Sequence, residues 1–318
     1  MPAPSSLHVN AALSTFASGY RNRNFIADKL CPMVMVEKRS DTYFQKNRKD
    51  ASTIFEDLVG PNTPAHEADY EVATTTYTVR DRALVGYVSN EEIRNADEPN
   101  KPKEDRVDNI MGRLMLAHED RVATLLLASG SYAAANTGAA TAVWTNHSTS
   151  NPIKDLQTAV AAIAPVGTDE TKLVMGLGLE AWQALSRHPD ILGLRPGGGQ
   201  VGGVAKADEI AAYLGLDEIW VSDIQKNTAN RALAATYTRI WDTTKACVMR
   251  VPRNEPRGFA SLFATTFRLR REGAESILVQ EWDDMSRGVS GAVAVKVALS
   301  EVSASIQNDM GYLLTSVT

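Results

Sequence analysis

The clearest pattern along the chain is a stripe of apolar residues with helical spacing in segment 101–129. Five apolar residues and one histidine recur at steps of three and four: Val107, Met111, Leu114, His118, Val122 and Leu125. Pro102 suits the first helical turn, and Gly130 follows the last. The pattern predicts a helix over 101–129, about 40 Å long, in which His118 belongs to the core or to an interface and not to a metal site.

A long β-hairpin is predicted before this helix, over residues 36–80. Its first leg is polar around Tyr43-Phe44-Gln45, and its return leg, Tyr70 to Val79, is rich in threonine, tyrosine and valine. Turn residues, Gly60-Pro61-Asn62, lie between the legs. A hairpin with so few apolar residues has little stability alone in water, so we expect it to lie on another surface. Residues 1–35 are also short of apolar positions and are expected to need a partner surface.

Helix and strand patterns alternate after residue 150, which indicates an α/β region. Residues 131–150 are small and polar and are predicted to form a linker. Helices are predicted from Asn151-Pro152 onwards and over 179–188 and 205–214. Strands are predicted over 173–175, 218–221, 237–241 and 246–251.

The last 60 residues carry mainly strand patterns. Segments 267–271 and 276–282 flank Gly273, which favours a hairpin. In the first segment three arginines fit either a salt-bridged sheet edge or contact with nucleic acid: Arg268, Arg270 and Arg271. Valine or leucine occupies every second position over 293–299, which predicts a strand with one strongly apolar face.

Composition narrows the class of protein. Hydrophobic residues make up 44% of the chain and charged residues 22%, as in proteins with a packed core. The net charge of −5 argues against a surface dedicated to nucleic acid, because such surfaces are usually basic. Cys31 and Cys247 lie far apart in sequence and are predicted to be reduced thiols. Neither a signal peptide nor an apolar run of about 20 residues is found, so we expect a cytoplasmic chain without membrane contact.

One motif for cofactor chemistry occurs, at Gly197–Gly202. It has the G-x-G-x-x-G spacing of dinucleotide-binding loops, and Asp217 and Asp223 follow near the position of a ribose-binding acid. Arg195-Pro196 interrupts any strand that would enter the loop, which favours a plain surface loop and leaves a nucleotide-binding enzyme as an alternative. The sequence contains no phosphate-cradle lysine motif, G-x-S-x-G or HExxH. We therefore predict no catalytic, cofactor-binding or metal site.

The order of these parts resembles the major capsid proteins of tailed bacteriophages, which have the Hong Kong 97 fold. Three local stretches add to the resemblance. Phe25 to Pro32 looks like the entry into the family's first strand, and Tyr87 to Pro99 looks like the polar run before its spine helix. Leu216 to Asp223 resembles a strand of its axial domain. The resemblance covers nearly the whole chain and implies an α+β fold.

The resemblance also implies a division of the chain. The expected parts are an N-terminal arm in 1–35, an extended β-hairpin loop in 36–80, a peripheral domain with the spine helix 101–129 in 81–150, an axial domain in 151–254, and a return β segment of the peripheral domain with a C-terminal strand in 255–318.

The implied function is structural and not enzymatic. The chain would be a major capsid subunit that self-assembles, as pentamers and hexamers, into an icosahedral shell around packaged DNA in the virion, after assembly in the host cytoplasm. Expected partners are further copies, a portal and in some shells a decoration protein. A separate scaffolding protein is also expected, because the hairpin begins by about residue 40 and leaves no room for a scaffolding segment. Contact with DNA would be weak and non-specific. An encapsulin-like bacterial compartment or another phage structural protein remains an alternative.

Charge along the hairpin suggests where copies meet. Residues 20–49 hold eight basic and three acidic residues, a net charge of +5, whereas residues 50–79 hold six acidic residues and no lysine or arginine. Either the two legs attract each other, or the acidic half meets a basic surface on the next subunit. The candidate subunit-interface residues are Arg39, Lys46, Arg48, Phe55, Glu56, Asp57, Leu58 and Val59.

Overall fold

The structure, a computed structural model, describes residues 8–20, 22, 24–46, 54, 57–60, 63–67, 72–97, 100–163, 171–194, 203–230, 233–253, 262–271 and 276–318. In this part of the chain the strands are β1 (His8–Val9), β2 (Met33–Val36), β3 (Ser40–Lys46), β4 (Val72–Thr78), β5 (Arg80–Ser89), β6 (Thr137–Ala139), β7 (Thr171–Gly178), β8 (Glu218–Ser222), β9 (Gln225–Asn227), β10 (Tyr237–Arg239), β11 (Ala246–Pro252), β12 (Ala264–Leu269), β13 (Ile277–Asp284), β14 (Ala292–Ser305) and β15 (Gly311–Thr315). The helices are α1 (Ala11–Ser18), α2 (Ala27–Leu30), α3 (Asn90–Arg94), α4 (Pro102–Leu126), α5 (Pro152–Ile163), α6 (Leu179–Ser186), α7 (Pro189–Gly193) and α8 (Ala207–Leu214).

β14 is the central strand of the first sheet and pairs with other strands along both of its edges. β5 pairs antiparallel with one of its edges, from Ser89 opposite Ala292 to Arg80 opposite Glu301. β13 and β12 lie end to end along the other edge, and β1 and β2 extend the sheet beyond them. The hairpin predicted around Gly273 is therefore wrong: β12 and β13 run in the same direction, because the 14-residue β14 is long enough to pair with both.

The long helix α4 packs on this sheet, as its stripe predicted. Four of its residues, Val107, Ile110, Met111 and Leu114, meet four side chains from one face of β14: Val293, Val295, Val297 and Leu299. Each large apolar side chain buried in this way contributes roughly 1.5–3 kcal/mol. The helix ends at Leu126 and not at 129, because Ala128 adopts extended dihedral angles.

The second sheet has the strand order β6-β15-β11-β7-β8 and confirms the α/β region. Helices α5, α6, α7 and α8 cover one face, where they meet Leu173, Met175 and Leu177 of β7. The other face meets α2 and the C-terminal half of α4, through residues such as Val174 and Met249. Both faces of the sheet are buried, so its strands are almost continuously apolar and do not alternate.

Segment 131–150 is not a linker. Its strand β6 pairs in parallel with β15. Trp144 is fully buried, and its indole N–H donates to Asp155 at 3.2 Å. The sequence pattern missed this role because the two buried aromatic residues of the segment, Tyr132 and Trp144, stand isolated among small and polar residues.

The N-terminal arm, residues 1–35, was expected to need a partner surface. Its described residues pack on such a surface within the same chain. Leu13 and Ala17 of α1 pack against α4 and the first sheet. Ile26 and Leu30 lie in the core between α4 and the second sheet. From His8 onwards, the described arm residues therefore belong to the folded subunit.

The predicted hairpin is present in its two legs, where β3 pairs with β4 from Ser40 opposite Thr78 to Lys46 opposite Val72. Its base rests on its own subunit. Tyr43 and Tyr77 are buried, and the Tyr77 ring stacks on Phe267 with centroids 4.4 Å apart. The base of the hairpin therefore lies on another surface, as expected, and that surface belongs to the same subunit. No helix in the described ranges is long and apolar enough to cross a membrane.

Candidate subunit interface and a buried ionic cluster

Four of the eight predicted interface residues have described side chains. Asp57, Leu58 and Val59 are exposed, Leu58 to 79%. Ile54, which the sequence interpretation passed over, is 97% exposed. Arg48, Phe55, Glu56 and the side chain of Lys46 lie outside the described residues. The described part of the hairpin tip therefore presents apolar and acidic side chains to solvent, a combination often found at protein–protein contacts.

Arg39, the fourth, is engaged within its own chain. Its guanidinium pairs with Asp81, which also pairs with Arg271 at 2.9 Å and accepts from the hydroxyl of Ser300. This network joins the start of the hairpin to the first sheet. It is exposed, and such pairs contribute only about 0–1 kcal/mol each.

A buried ionic cluster centred on Glu301 lies where α4 crosses the first sheet. Its Oε1 accepts from His118 Nδ1 at 2.9 Å and from Arg121 at 2.5 Å. Its Oε2 accepts from two nitrogens of Arg268, at 2.7 and 3.1 Å. Four donors fill the usual capacity of a carboxylate, which makes burial of this charge tolerable.

The cluster shifts the pKa values of its members. Burial alone would lower the pKa of His118, but the carboxylates of Asp28 and Glu301 raise it to about 9. Burial would raise the pKa of Glu301, but His118 and Arg268 hold it well below its usual range. His118 is therefore a cation, and Glu301 an anion, at neutral pH.

The cluster also ties the arm to the long helix. His118 Nε2 lies 3.3 Å from Asp28 Oδ1, a contact between ions that is not an aligned hydrogen bond. The next residue of α4, Glu119, is buried and accepts from the backbone N–H groups of Ile26 and Ala27 and from the indole of Trp241. Burial raises the pKa of Glu119, and this effect exceeds the opposite effect of the hydrogen bonds, which lower the pKa.

Beside the cluster lies an open cleft of about 400 Å³ between the hairpin base, β5, α4 and β14. We call it the arginine cleft. Three guanidinium groups line it, from Arg80, Arg82 and Arg121. Thr76, Thr78 and Ser303 add hydroxyl groups, and Glu301 forms part of its floor. An arrangement rich in guanidinium and hydroxyl donors suits a carboxylate or another anion.

The sequence identified His118 as structural but missed the rest of the cluster. For the three arginines near 270, the sequence left open a salt-bridged sheet edge or contact with nucleic acid; Arg268 and Arg271 do form salt bridges. Arg268, however, lies inside the sheet between β14 and β2, and only 3% of it is exposed. Glu301 could not be identified from the sequence because its three partner residues, His118, Arg121 and Arg268, are distant from it along the chain.

The glycine motif receives no support as a cofactor site. Gly197–Gly202 lies outside the described residues, and the described segment before it is helix α7, not a strand. Asp217 accepts from the Leu173 N–H and from Arg253, and Asp223 pairs with Arg239. Over the described ranges, no group of histidine, cysteine, aspartate and glutamate residues could hold a metal ion.

Comparison with known proteins extends along nearly the whole chain. A major capsid protein of Pseudomonas phage JBD67 is 24% identical over 309 residues, which cover 96% of this chain and 95% of that protein. A phage-related protein from Bordetella bronchiseptica RB50 aligns over 97% of both chains, with a TM-score of 0.73 and 23% identity. The capsid of cyanophage P-SCSP1u covers 93% of this chain and 89% of its own, with a TM-score of 0.58 and 10% identity. No protein-family model matches the chain.

Proposed function

We propose that this chain, which has the Hong Kong 97-type capsid fold, is the major capsid subunit of a tailed bacteriophage. The observation that carries the proposal is similarity over nearly the full length of both aligned chains. The sequence is similar to that of a phage major capsid protein, and the structure is similar to those of a phage-related protein and a phage capsid. A shared domain inside a larger protein of another function would not match from end to end.

The parts of the chain fit this role. In our assignment, the segment up to 35 is the arm, the β3–β4 hairpin is the extended loop, and α4 is the spine helix. The first sheet with α4 forms the peripheral domain, and the second sheet with its helices forms the axial domain. The second sheet takes β6 and β15 from outside 151–254, so the axial domain would be assembled from three stretches of chain.

The subunit would act by assembly and not by catalysis. A shell needs contacts between unlike surfaces that repeat around five-fold and six-fold axes. The exposed apolar and acidic hairpin tip supplies one such surface. A separate scaffolding protein, a portal and a decoration protein are the further partners we propose, with packaged DNA touching the shell weakly.

Size-exclusion chromatography and negative-stain electron microscopy test the proposal, with and without a co-expressed scaffolding protein. We expect pentamers, hexamers or closed shells. A monomer or dimer at every concentration would contradict the proposal. Shells that copurify with a host enzyme as cargo would favour the encapsulin-like alternative.

A calorimetric titration with NAD, NADP and ATP tests the enzyme alternative separately. We expect no binding at micromolar concentration. Tight binding of any of the three would revive a role for the Gly197–Gly202 motif.

A further inference from the structure

The arginine cleft holds more positive than negative charge. Arg80, Arg82 and Arg121 line it, and Glu301 is the only acid among its described lining residues. Three cations against one anion leave a net charge of +2. Glu301 cannot serve as counter-ion for Arg80 and Arg82, because its four acceptor positions are taken by donors of the buried cluster. The described residues therefore supply no counter-ion for these two arginines.

Arg82 shows the effect of this excess charge. Its Nε atom is buried and has no hydrogen-bond partner among the described residues, and a buried donor without a partner is destabilising. Burial and the positive charge of Arg121 lower the pKa of Arg82. An anionic ligand that accepts from Nε would relieve both effects.

The polar side chains of one cleft wall come from alternate positions of two consecutive strands. Thr76 and Thr78 of β4 and Arg80 and Arg82 of β5 all line the cleft, whereas Tyr77, between the threonines, is buried. This alternation is that of strand residues on one face. The Cα atoms of Arg80 and Arg82 are about 7 Å apart, from a rise of about 3.3 Å per residue. An ion between the two guanidinium groups can therefore contact both.

The arrangement of donors favours a phosphate group over a carboxylate. Guanidinium groups bind phosphate in a bidentate geometry and stay charged at physiological pH. Ser303 on β14 faces the cleft from another wall; its hydroxyl can accept from Thr266, 2.9 Å away, and donate to a ligand. Arg121 adds a guanidinium from α4. Donors from three directions suit the tetrahedral oxygens of phosphate, whereas the two oxygens of a carboxylate lie in one plane.

We propose that the arginine cleft is a binding site for a phosphate group, held by the guanidinium groups of Arg80 and Arg82 and by the hydroxyl groups of the cleft walls. Glu301 does not repel the ligand strongly, because His118 and Arg268 offset its charge. Free phosphate and the phosphates of a nucleic-acid backbone share this chemistry. The site lies within one subunit, so the proposal goes beyond the capsid function and does not depend on it.

Titration of the full chain with inorganic phosphate tests the site, with calorimetry and thermal melting as readouts. We expect the wild type to bind phosphate and to melt at a temperature that rises with phosphate concentration, as for a ligand that binds only the folded state. The double variant Arg80→Gln, Arg82→Gln should bind at least about tenfold more weakly, because it lacks two charged donors. Sodium acetate and sodium chloride at equal ionic strength are the comparison salts.

Arg82→Gln alone gives a second readout, of opposite sign. In phosphate-free buffer it should melt no lower than the wild type, because it removes a guanidinium that burial and Arg121 disfavour. In phosphate the wild type should gain more than the variant. A variant that melts lower without phosphate and still binds phosphate normally would show that Arg82 serves only the fold, and would overturn the proposal.

A matched control and two contrary outcomes complete the test. Arg113→Gln, at an exposed position on the same helix as Arg121, should bind phosphate as the wild type does. Equal stabilisation of the wild type and the double variant by phosphate would assign the effect to exclusion of the salt from the protein surface, and the proposal fails. It also fails if acetate binds as tightly as phosphate, because the cleft is then a general anion site.

A short DNA duplex of arbitrary sequence distinguishes the two sources of phosphate. If the cleft takes backbone phosphates, the duplex should bind the wild type, inorganic phosphate should compete, and the double variant should lose the binding. If it takes free phosphate, only inorganic phosphate should bind in a way that depends on Arg80 and Arg82. Binding of both probes that is unchanged in the double variant would overturn the proposal. Failure of the wild type to form shells would bear on the capsid function alone.

Discussion

His118 and Glu301 are charged side chains in the interior, and each is tolerated there because the other is present. His118 is 2% exposed and Glu301 1% exposed. Isolated, either ion would carry a desolvation cost of several kcal/mol. Together with Arg121, Arg268 and Asp28 they join α4, the first sheet and the arm at one point, so changes here should act on the whole subunit.

Stability should therefore depend on pH through His118. Its pKa is raised from 6.5 to about 9 in the folded state, so its contribution is complete below about pH 6.5 and is lost as pH rises through about 9. The shift corresponds to a loss on the order of 3 kcal/mol across this window. In His118→Gln, unfolding by urea should vary much less between pH 6.5 and 9. An unchanged slope in the variant would show that His118 does not titrate in this way.

Removing the carboxylate should be more damaging than removing the histidine. Glu301→Gln leaves Arg268, Arg121 and His118 without their shared counter-ion, and breaking such a buried group costs about 3–5 kcal/mol. Denaturant unfolding measures the loss. Glu92→Gln, at an exposed position, is the matched control and should stay within about 0.5 kcal/mol of the wild type.

At the level of elements, the hairpin divides into an anchored base and an exposed tip. Tyr43 and Tyr77 fix the base on Phe267. Ile54 and Leu58 are available to another surface. Under the function proposed above, the base would hold the hairpin on its own subunit while the tip would contact a neighbouring copy.

Replacing tip residues should separate assembly from folding. Leu58→Ala and Phe55→Ala should weaken shells more than Glu56→Gln, because burial of a large apolar side chain is worth roughly 1.5–3 kcal/mol and an exposed ion pair less. Sedimentation measures assembly, and thermal melting should show an unchanged subunit. Normal assembly of both alanine variants, or unfolding of the isolated subunit, would contradict an anchoring role for the tip.

Elements with a strong local period were predictable from the sequence, and contacts between distant segments were not. The stripe of α4 and the alternation over 293–299 gave the correct faces, because one buried face imposes a period. The pairing of β12 and β13 with β14 depends on the length of β14, and the role of β6 depends on β15. The Glu301 cluster likewise draws residues from positions 28, 118, 121, 268 and 301, so no local motif marks it.

For the molecule as a whole, the last strand completes the second sheet. β15 lies between β6 and β11, and Leu313, Leu314 and Val317 are buried. Deleting residues 311–318 would expose both neighbouring strands and part of the core. We expect the truncated chain to be insoluble or to lose its cooperative thermal transition. Deleting Thr318 alone should cost little, and a folded, soluble 1–310 fragment would contradict the central place given to β15.

The position of β15 in the sequence also sets an order on the folding of the second sheet. β15 begins roughly 60 residues after β11 ends, so at 5–20 residues per second the edges of β6 and β11 wait about 3–12 s for the strand that joins them. A nascent chain consequently cannot close its second sheet until β15 has left the ribosome. Open strand edges pair readily with other chains, so we expect co-translational aggregation to begin in this interval.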